Sequence, residues 1–226
     1  MILHDCQLTF HDTLFYETRT LGRLYETGRL LHNIALSYAL GLARSTYHHD
    51  DYVPRYAEEL APLNEQGIYV TPATDEAIHF VVHTFKFGEE RTAVRMEKSN
   101  ANIPTYGRAK EIGVGSVFRF GVLAPQPLNL PSWIRMGIWM SKARLSITQI
   151  KLERSDQAST QTLSRYPVNP GDLPESVAVR VFDLVSMRPT NLLQHVELYA
   201  DAWWKATLPH GEIFRLPVGL HYGGIK

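Results

Sequence analysis

The chain opens with an apolar run over residues 2–10 and resumes at 14–17 beyond His11-Asp12, a spacing that predicts a short hairpin or a broken strand. Thr27 then sits where it can cap a helix over 29–42, with Gly41 near its end. At about 100° per residue, Leu31, Ile34, Ala35, Tyr38 and Leu42 gather on one side of that helix. Arg29, Asn33, Ser37 and Arg44 gather on the other, with His32 at the margin. Leu36 and Leu40 also fall on the polar side, so the helix is expected to be packed on both flanks. Residues 47–65 are aromatic and acid-rich and read as loop and irregular turn. Residues 78–87, β-branched and aromatic, predict a buried strand. The polar, charged stretch 88–115 holds Pro104 and several glycines and reads as a long loop, of a length that usually carries function.

Residues 117–123 predict a strand with Phe118, Phe120 and Val122 on one face and Arg119 on the other. Residues 134–140 and 143–152 pair as a hairpin. Within it the apolar set changes parity, from Ala143, Leu145 and Ile147 to Ile150 and Leu152, which predicts a bulge near Thr148-Gln149. A polar connection over 155–172 ends in Pro170-Gly171; 177–185 reads as a strand, 191–208 fits either a helix or an extended pair, and 212–222 reads as a final strand. There is no internal repeat, low-complexity tract or Gly/Ser linker, so one unit spanning 1–226 is expected. The order of elements fits a β-α-β-β-α-β arrangement, and the fold class is α+β.

Composition narrows the picture. With 226 residues the chain can bury a sizeable core. No stretch approaches ~18 uninterrupted apolar residues, so no membrane span is expected. The first residues lack a basic region and are not expected to be a signal peptide. Cys6 is the single cysteine, which excludes an internal disulfide framework and a multi-cysteine zinc site. The expected compartment is the cytoplasm. Net charge is zero, but its distribution is not even. Residues 1–85 carry 5 Lys/Arg against 11 Asp/Glu, residues 86–154 carry 12 against 5, and residues 155–226 carry 6 against 7. A basic block inside a neutral protein is an argument about binding, although the basic and acidic parts can also simply face each other.

Enzyme signatures are few. His48-His49-Asp50-Asp51 offers four metal-capable side chains in a row, but adjacent residues rarely converge on one ion, and a solvated loop is the stronger reading. His79 and His83 on a strand would lie ~13 Å apart on one face, too far for one metal. No nucleophile elbow, phosphate-binding loop or zinc-protease helix motif occurs. Gly113-Val114-Gly115-Ser116 lacks the third glycine of a dinucleotide fingerprint, yet its glycines would let a backbone approach a phosphate closely. Cys6, in an apolar strand, reads as a core residue. No cofactor or metal is expected.

The basic block suits single-stranded RNA, which takes cations for its phosphates and aromatic rings for its bases. Lys86, Arg91, Arg95, Lys98, Arg108 and Lys110 flank a polar segment with Asn100, Asn102 and Tyr106, and Arg119, Arg135, Lys142, Arg144 and Lys151 follow from strands. Arg91 and Arg95 can instead pair with Glu89, Glu90 or Glu97. Arg119 stands out because it projects from a strand beside the glycine loop.

The string Tyr25-Glu26-Thr27-Gly28-Arg29, running into His32-Asn33-Ile34-Ala35-Leu36-Ser37-Tyr38-Ala39-Leu40-Gly41, resembles the N-terminal helix of the Cas-five family, in the subtype I-D form called Csc-one. Gly113-Val114-Gly115-Ser116-Val117-Phe118-Arg119-Phe120 is similar to a second element of that family. The resemblance implies a ferredoxin-like, RRM-related RAMP domain with an inserted thumb-like β element, placed at about 88–113. It implies a non-catalytic subunit of a type I-D CRISPR interference complex that caps the 5′ handle of the crRNA. The implied neighbours are a Cas-seven-type backbone subunit and a Cas-ten-type large subunit, with target DNA a further possible contact. The expected RNA-binding residues are Arg29, Asn33, Lys98, Tyr106, Arg108, Lys110, Ser116, Arg119 and Arg144. The alternatives are a metal-independent precursor-RNA endonuclease of the same superfamily, with histidine as general base, or a protein-interaction subunit without direct RNA contact.

Overall fold

The structure is a computed structural model that describes residues 1–45, 54–87, 105–163, 165–208 and 211–223. Its central element is β1 (Ile2–Phe10), and the pleat of that strand organises both halves of the molecule. Cys6, Leu8 and Phe10 point to one side and Leu3 to the other, and all are buried. The elements after it are β2 (Arg19–Leu21), β3 (Leu24–Glu26), α1 (Asn33–Ala39), α2 (Tyr56–Glu65), β4 (Tyr69–Val70) and β5 (Thr74–Ala77). Then come β6 (Phe80–Phe87), β7 (Thr105–Ile112), β8 (Val117–Ala124), β9 (Trp133–Met136) and β10 (Ser141–Lys151). The C-terminal part holds β11 (Glu153–Ser155), β12 (Ser159–Leu163), β13 (Ala178–Val185), β14 (Leu192–Ala200), β15 (Trp203–Thr207) and β16 (Ile213–Pro217).

The largest sheet runs β4-β8-β1-β10-β9, with β5 also on β8 beside β4, and every pairing in it is antiparallel. Its helix-side face packs Phe118, Phe120 and Val122 of β8 and Ala143 and Leu145 of β10 with the β1 set, against Ile34 and Leu36 of α1 and Leu60 and Leu63 of α2. Phe10 and Phe118 meet edge to face at 5.8 Å. On the opposite face Leu3, Leu123 and Leu152 join Leu198, Trp203, Phe214 and Leu216 from two small sheets, β11-β15-β16 and β12-β14-β13. A fourth sheet, β2-β3-β7-β6, is built on the β6–β7 hairpin, to which β3 pairs in parallel.

The change of apolar parity along β10 follows from these two cores and not from a bulge. Pairing with β1 is unbroken from Phe10↔Ala143 to Ile2↔Lys151. The first half of β10 is covered by the helices and its far end, with Leu152, by the C-terminal sheets, so the buried parity switches while the register does not.

Helix α1 is shorter than its periodicity predicts. Thr27 does not cap it, because Thr27 N–H donates to the Lys110 carbonyl and Leu31 pairs with Ala73, which keeps this stretch extended. His32 is the cap, its Nδ1 accepting from Ile34 N–H at 3.3 Å. At the other end Gly41 adopts φ 72, and the N–H groups of Gly41 and Leu42 return to Tyr38 and Ser37. That paired return is the glycine-dependent helix stop that Gly41 signals in the sequence. Burial of Asn33, Ile34, Leu36 and Ser37 agrees with packing on both flanks.

Residues 56–65, read as irregular, form α2 despite Pro62 inside it, because Leu60 and Leu63 are buried in the first core. Residues 105–112, read as part of a loop, form β7, which pairs along its whole length with β6. Residues 159–163, read as connection, form β12, and 191–208 resolves to the extended pair β14 and β15.

Candidate nucleic-acid interface

On β7, Arg108 and Lys110 share one face of the strand, since they are two residues apart. Register sets Arg108 beside Leu24 and Lys110 beside Glu26 on β3, and Arg19 beside Glu26 on β2. Lys110 Nζ lies 3.5 Å from Glu26 Oε1 and 4.3 Å above the centre of the Phe80 ring. Arg19 donates to Glu26 Oε2 through Nε at 2.9 Å, and this contact, with Lys110, holds the Glu26 carboxyl below the usual carboxylate range. Arg29 donates to Asp75 through Nε at 3.2 Å and through its terminal amine. Arg19, Arg29, Lys110 and Phe80 line one open cleft of about 490 Å3, closed on its far side by Leu184 to Met187. The fold therefore brings Arg29 and Lys110 to one cleft, with Arg108 two residues along β7 from Lys110, and adds Arg19 and Phe80, which the sequence reading missed. Neighbouring strands, invisible in a linear charge count, put them there.

The other expected residues lie elsewhere. Arg119 projects from β8 on the face away from α1, as its parity predicts, but its Nε is 2.7 Å from Glu76 and its Nη1 is 3.5 Å from Asp5. Arg165 joins the same carboxylate at 3.1 Å and also pairs with Glu212, while the Tyr166 hydroxyl donates to Asp5 Oδ1 at 2.7 Å. Two guanidinium groups and three carboxylates thus pair between the central sheet and the C-terminal part, with one carboxylate in excess. Ser116 is fully buried; its hydroxyl accepts from His79 N–H, and its backbone closes the turn with Gly113 and Phe10. At Gly113 a Cβ would sit 2.2 Å from His79 Nε2, so this glycine makes room for a side chain of the protein itself.

Asn33 is fully buried, its amide donating to Asp172 Oδ2 at 2.7 Å. It belongs to a polar seam the sequence did not announce. Tyr69 donates to Asp172, and Ser37 Oγ lies 2.7 Å from the Tyr222 hydroxyl, which accepts from Val70 N–H. Burial pushes the Asp172 carboxyl up to about 6, against the opposing hydrogen bonds from Asn33 and Tyr69. His32 bonds Thr190 across the same seam, and burial brings its imidazole down to about 4.

Arg144 is exposed on β10, remote in register from β7. Tyr106 has its backbone in β7, opposite Lys86. Lys98, Arg91, Arg95, Asn100 and Asn102 lie outside the described residues, as do His48-His49-Asp50-Asp51 and the 88–104 part of the expected thumb.

For chemistry the candidates are sparse. Among the described residues no group of three or more His, Cys, Asp or Glu side chains could hold a metal ion. Cys6 is buried, and burial pushes its thiol far above the ordinary range, which suits a core residue. His79 is exposed beside Gly113, whereas His83 Nδ1 meets the buried Glu111 at 2.8 Å. Among the described residues no helix is long and apolar enough to cross a membrane.

The sequence model of the family described as type I-D CRISPR-associated protein Cas5/Csc1 matches residues 1–224. The chain belongs to that family, and is thus a CRISPR-associated protein of the type I-D system, which implies assembly with other Cas proteins. Among solved structures it is similar to a CRISPR protein from Archaeoglobus fulgidus, at 11% identity and a TM-score of 0.44, over 95% of this chain and 99% of that one. No curated protein matches.

Proposed function

We propose that this chain is the non-catalytic subunit that binds and caps the 5′ handle of the crRNA in a type I-D interference complex, gripping it at the cleft on β7. The observation that carries the reading is the convergence of Arg19, Arg29 and Lys110 with Phe80 in one cleft at the root of the β6–β7 hairpin, with Arg108 two residues further along the same face of β7. Cations placed over and beside an aromatic ring match what single-stranded RNA offers, phosphates alternating with flat bases. The hairpin itself takes the role of the thumb-like element. The strand order β4/β5-β8-β1-β10, with helices α1 and α2 between β1 and β4, supports a ferredoxin-like RAMP domain in which the β9 segment takes the place of a second crossover helix in chain order. Arg119, already paired twice, and the buried Asn33 and Ser116 position this framework without touching RNA. In the assembled complex the chain bridges the Cas-seven-type backbone and the Cas-ten-type large subunit during target DNA recognition, in the cytoplasm.

The test is binding of a labelled repeat-derived RNA over a salt series, with the RNA run on a gel afterwards. Intact RNA bound with a steep salt dependence is expected, and replacing Arg108 and Lys110 by alanine lowers the slope of log K against log salt by about 1.4. Salt-independent or absent binding, also with partner subunits present, would leave an assembly-only role.

One observation favours a second reading, the endonuclease. His83 is exposed while Glu111, which holds its Nδ1, is fully buried, an arrangement that orients an imidazole as a general base. Metal-independent cleavage of the RNA, lost in His83→Ala, would establish it.

A further inference from the structure

The outer face of the β9–β10 hairpin takes part in none of the contacts above. Trp133 and Arg135 on β9, and Lys142 and Arg144 on β10, alternate outward while Ile134, Met136, Ala143 and Leu145 point into the first core. Register pairs Trp133 with Arg144, Arg144 with Thr9, and Thr9 with Val117. One row of side chains therefore crosses four strands on the face away from α1. Trp133 is 41% exposed at the end of that row. The Lys142 ammonium stands 4.2 Å above its ring and His11 meets its edge at 5.0 Å. Arg135 donates to the Met140 carbonyl at 3.0 Å, which steadies the turn and holds its charge beside Lys142. Among the described residues neither Arg135, Lys142 nor Arg144 makes an ion pair. The nearby carboxylate, Asp12, is engaged by the Lys142 backbone N–H at 2.9 Å.

We propose that this face is a second binding surface for single-stranded nucleic acid, with one base stacked on Trp133 and the adjoining phosphates held by Lys142 and Arg144. Charge complementarity identifies the occupant: among the described residues, Arg135, Lys142 and Arg144 hold the positions around the exposed Trp133 indole, against the already engaged Asp12. Protein interface cores are depleted of charge, whereas open sheet faces with an aromatic ring among cations are how small domains hold single strands. Lys142 over the ring is a placeholder. An exposed cation–π contact is weak, and an arriving base takes the ring while the freed ammonium takes a phosphate. The surface shares no residue with the β7 cleft, so it serves a strand segment other than the one held there.

The test uses the full chain and short fluorescent RNA, single-stranded DNA and duplex DNA of one sequence lacking the repeat. Each is titrated by anisotropy against the parent and against Arg108→Ala/Lys110→Ala, which disables the cleft. In both backgrounds Trp133→Ala weakens single-strand binding about tenfold, and Trp133→Phe, which keeps a stacking ring, restores most of it. Lys142→Ala/Arg144→Ala lowers the salt slope by about 1.4. Photocrosslinking of a bromouracil-bearing strand labels the peptide that contains Trp133. Preference for RNA or for DNA names the source of the strand. Unchanged affinity in Trp133→Ala and Lys142→Ala/Arg144→Ala with the cleft disabled, or crosslinks that avoid β9 and β10, overturns the proposal and leaves this face to a protein partner. Because the replaced side chains are exposed, unchanged melting temperatures confirm that each variant is folded.

Discussion

Two pairs of arginines in this protein share one side-chain type and have opposite fates. Around Asp5, the side chains of Arg119 and Arg165 are 21% and 13% exposed, and each has carboxylates on two sides. Around the β7 cleft, Arg19 and Arg29 are about two-thirds exposed and each has one carboxylate. Withdrawn from water and fully paired, a guanidinium has no capacity left for a phosphate, and removing its partner leaves a stranded charge. Left in water with a single weak partner, it exchanges that partner readily. Burial and company, more than residue type, separate a cation that holds the fold from one that holds a ligand.

The largest effect expected from breaking this contrast is at Asp5. Its replacement by alanine takes one of two carboxylates from each guanidinium group and the acceptor from the Tyr166 hydroxyl, and the loss of these charge-assisted hydrogen bonds should cost about 3 kcal/mol in urea unfolding. Affinity of the remaining folded protein for RNA should not change. If stability held and RNA binding fell instead, the cluster would be a ligand site and the contrast would collapse.

Next in size is a pH effect in the seam between α1 and the C-terminal part. Asp172 is raised from 3.8 to about 6, so the folded state holds its proton longer than the unfolded one, and stability falls as pH rises from about 4 to 6. His32 is lowered from 6.5 to about 4, so the folded state gives up its proton sooner, and stability rises with pH across nearly the same window. The two opposing contributions, about 3 kcal/mol each, largely cancel in the parent protein. Asp172→Asn should therefore unmask a steady loss of stability on acidification from pH 6.5 to 4. His32→Asn, which keeps a capping oxygen, should unmask a gain on acidification from pH 6 to 4. Melting curves taken as differences from the parent remove the common contribution of Glu26 and Glu76, both lowered by their arginine partners. Parallel pH profiles for all three proteins would refute the compensation.

What could be read from the chain divides along the same line. The strands around β1 were legible because their apolar residues alternate, and Gly41 marked the end of α1. The two cores were not, because the switch of parity along β10 has two causes that look alike in sequence, a bulge or a change of covering layer. The basic block at 86–154 was legible as charge. Its division into a cleft, an open sheet face and a carboxylate-paired cluster was not, since Arg19, Glu26, Asp75 and Asp5, which decide it, come from the acidic first third. Thr27 looked like a cap because its side chain type allows one, but a backbone hydrogen bond to Lys110 decides otherwise.

The smallest effect gives the sharpest test of the contrast. Arg29 and Asp75 form an exposed pair at the cleft, so Arg29→Ala should change stability by no more than about 0.5 kcal/mol. Handle RNA should nevertheless bind about threefold more weakly, as expected for one lost phosphate contact of modest strength. Asp75→Ala should do the reverse. It leaves Arg29 in place, removes the anion that competes with phosphate, and should tighten RNA binding by a similar factor, most clearly at low salt where exposed charges are least screened. Opposite signs from the two halves of one salt bridge are what a ligand-exchanging cation produces. A structural pair would lose stability from either side and leave affinity alone, so a titration of the two variants beside the parent decides which kind of pair this is.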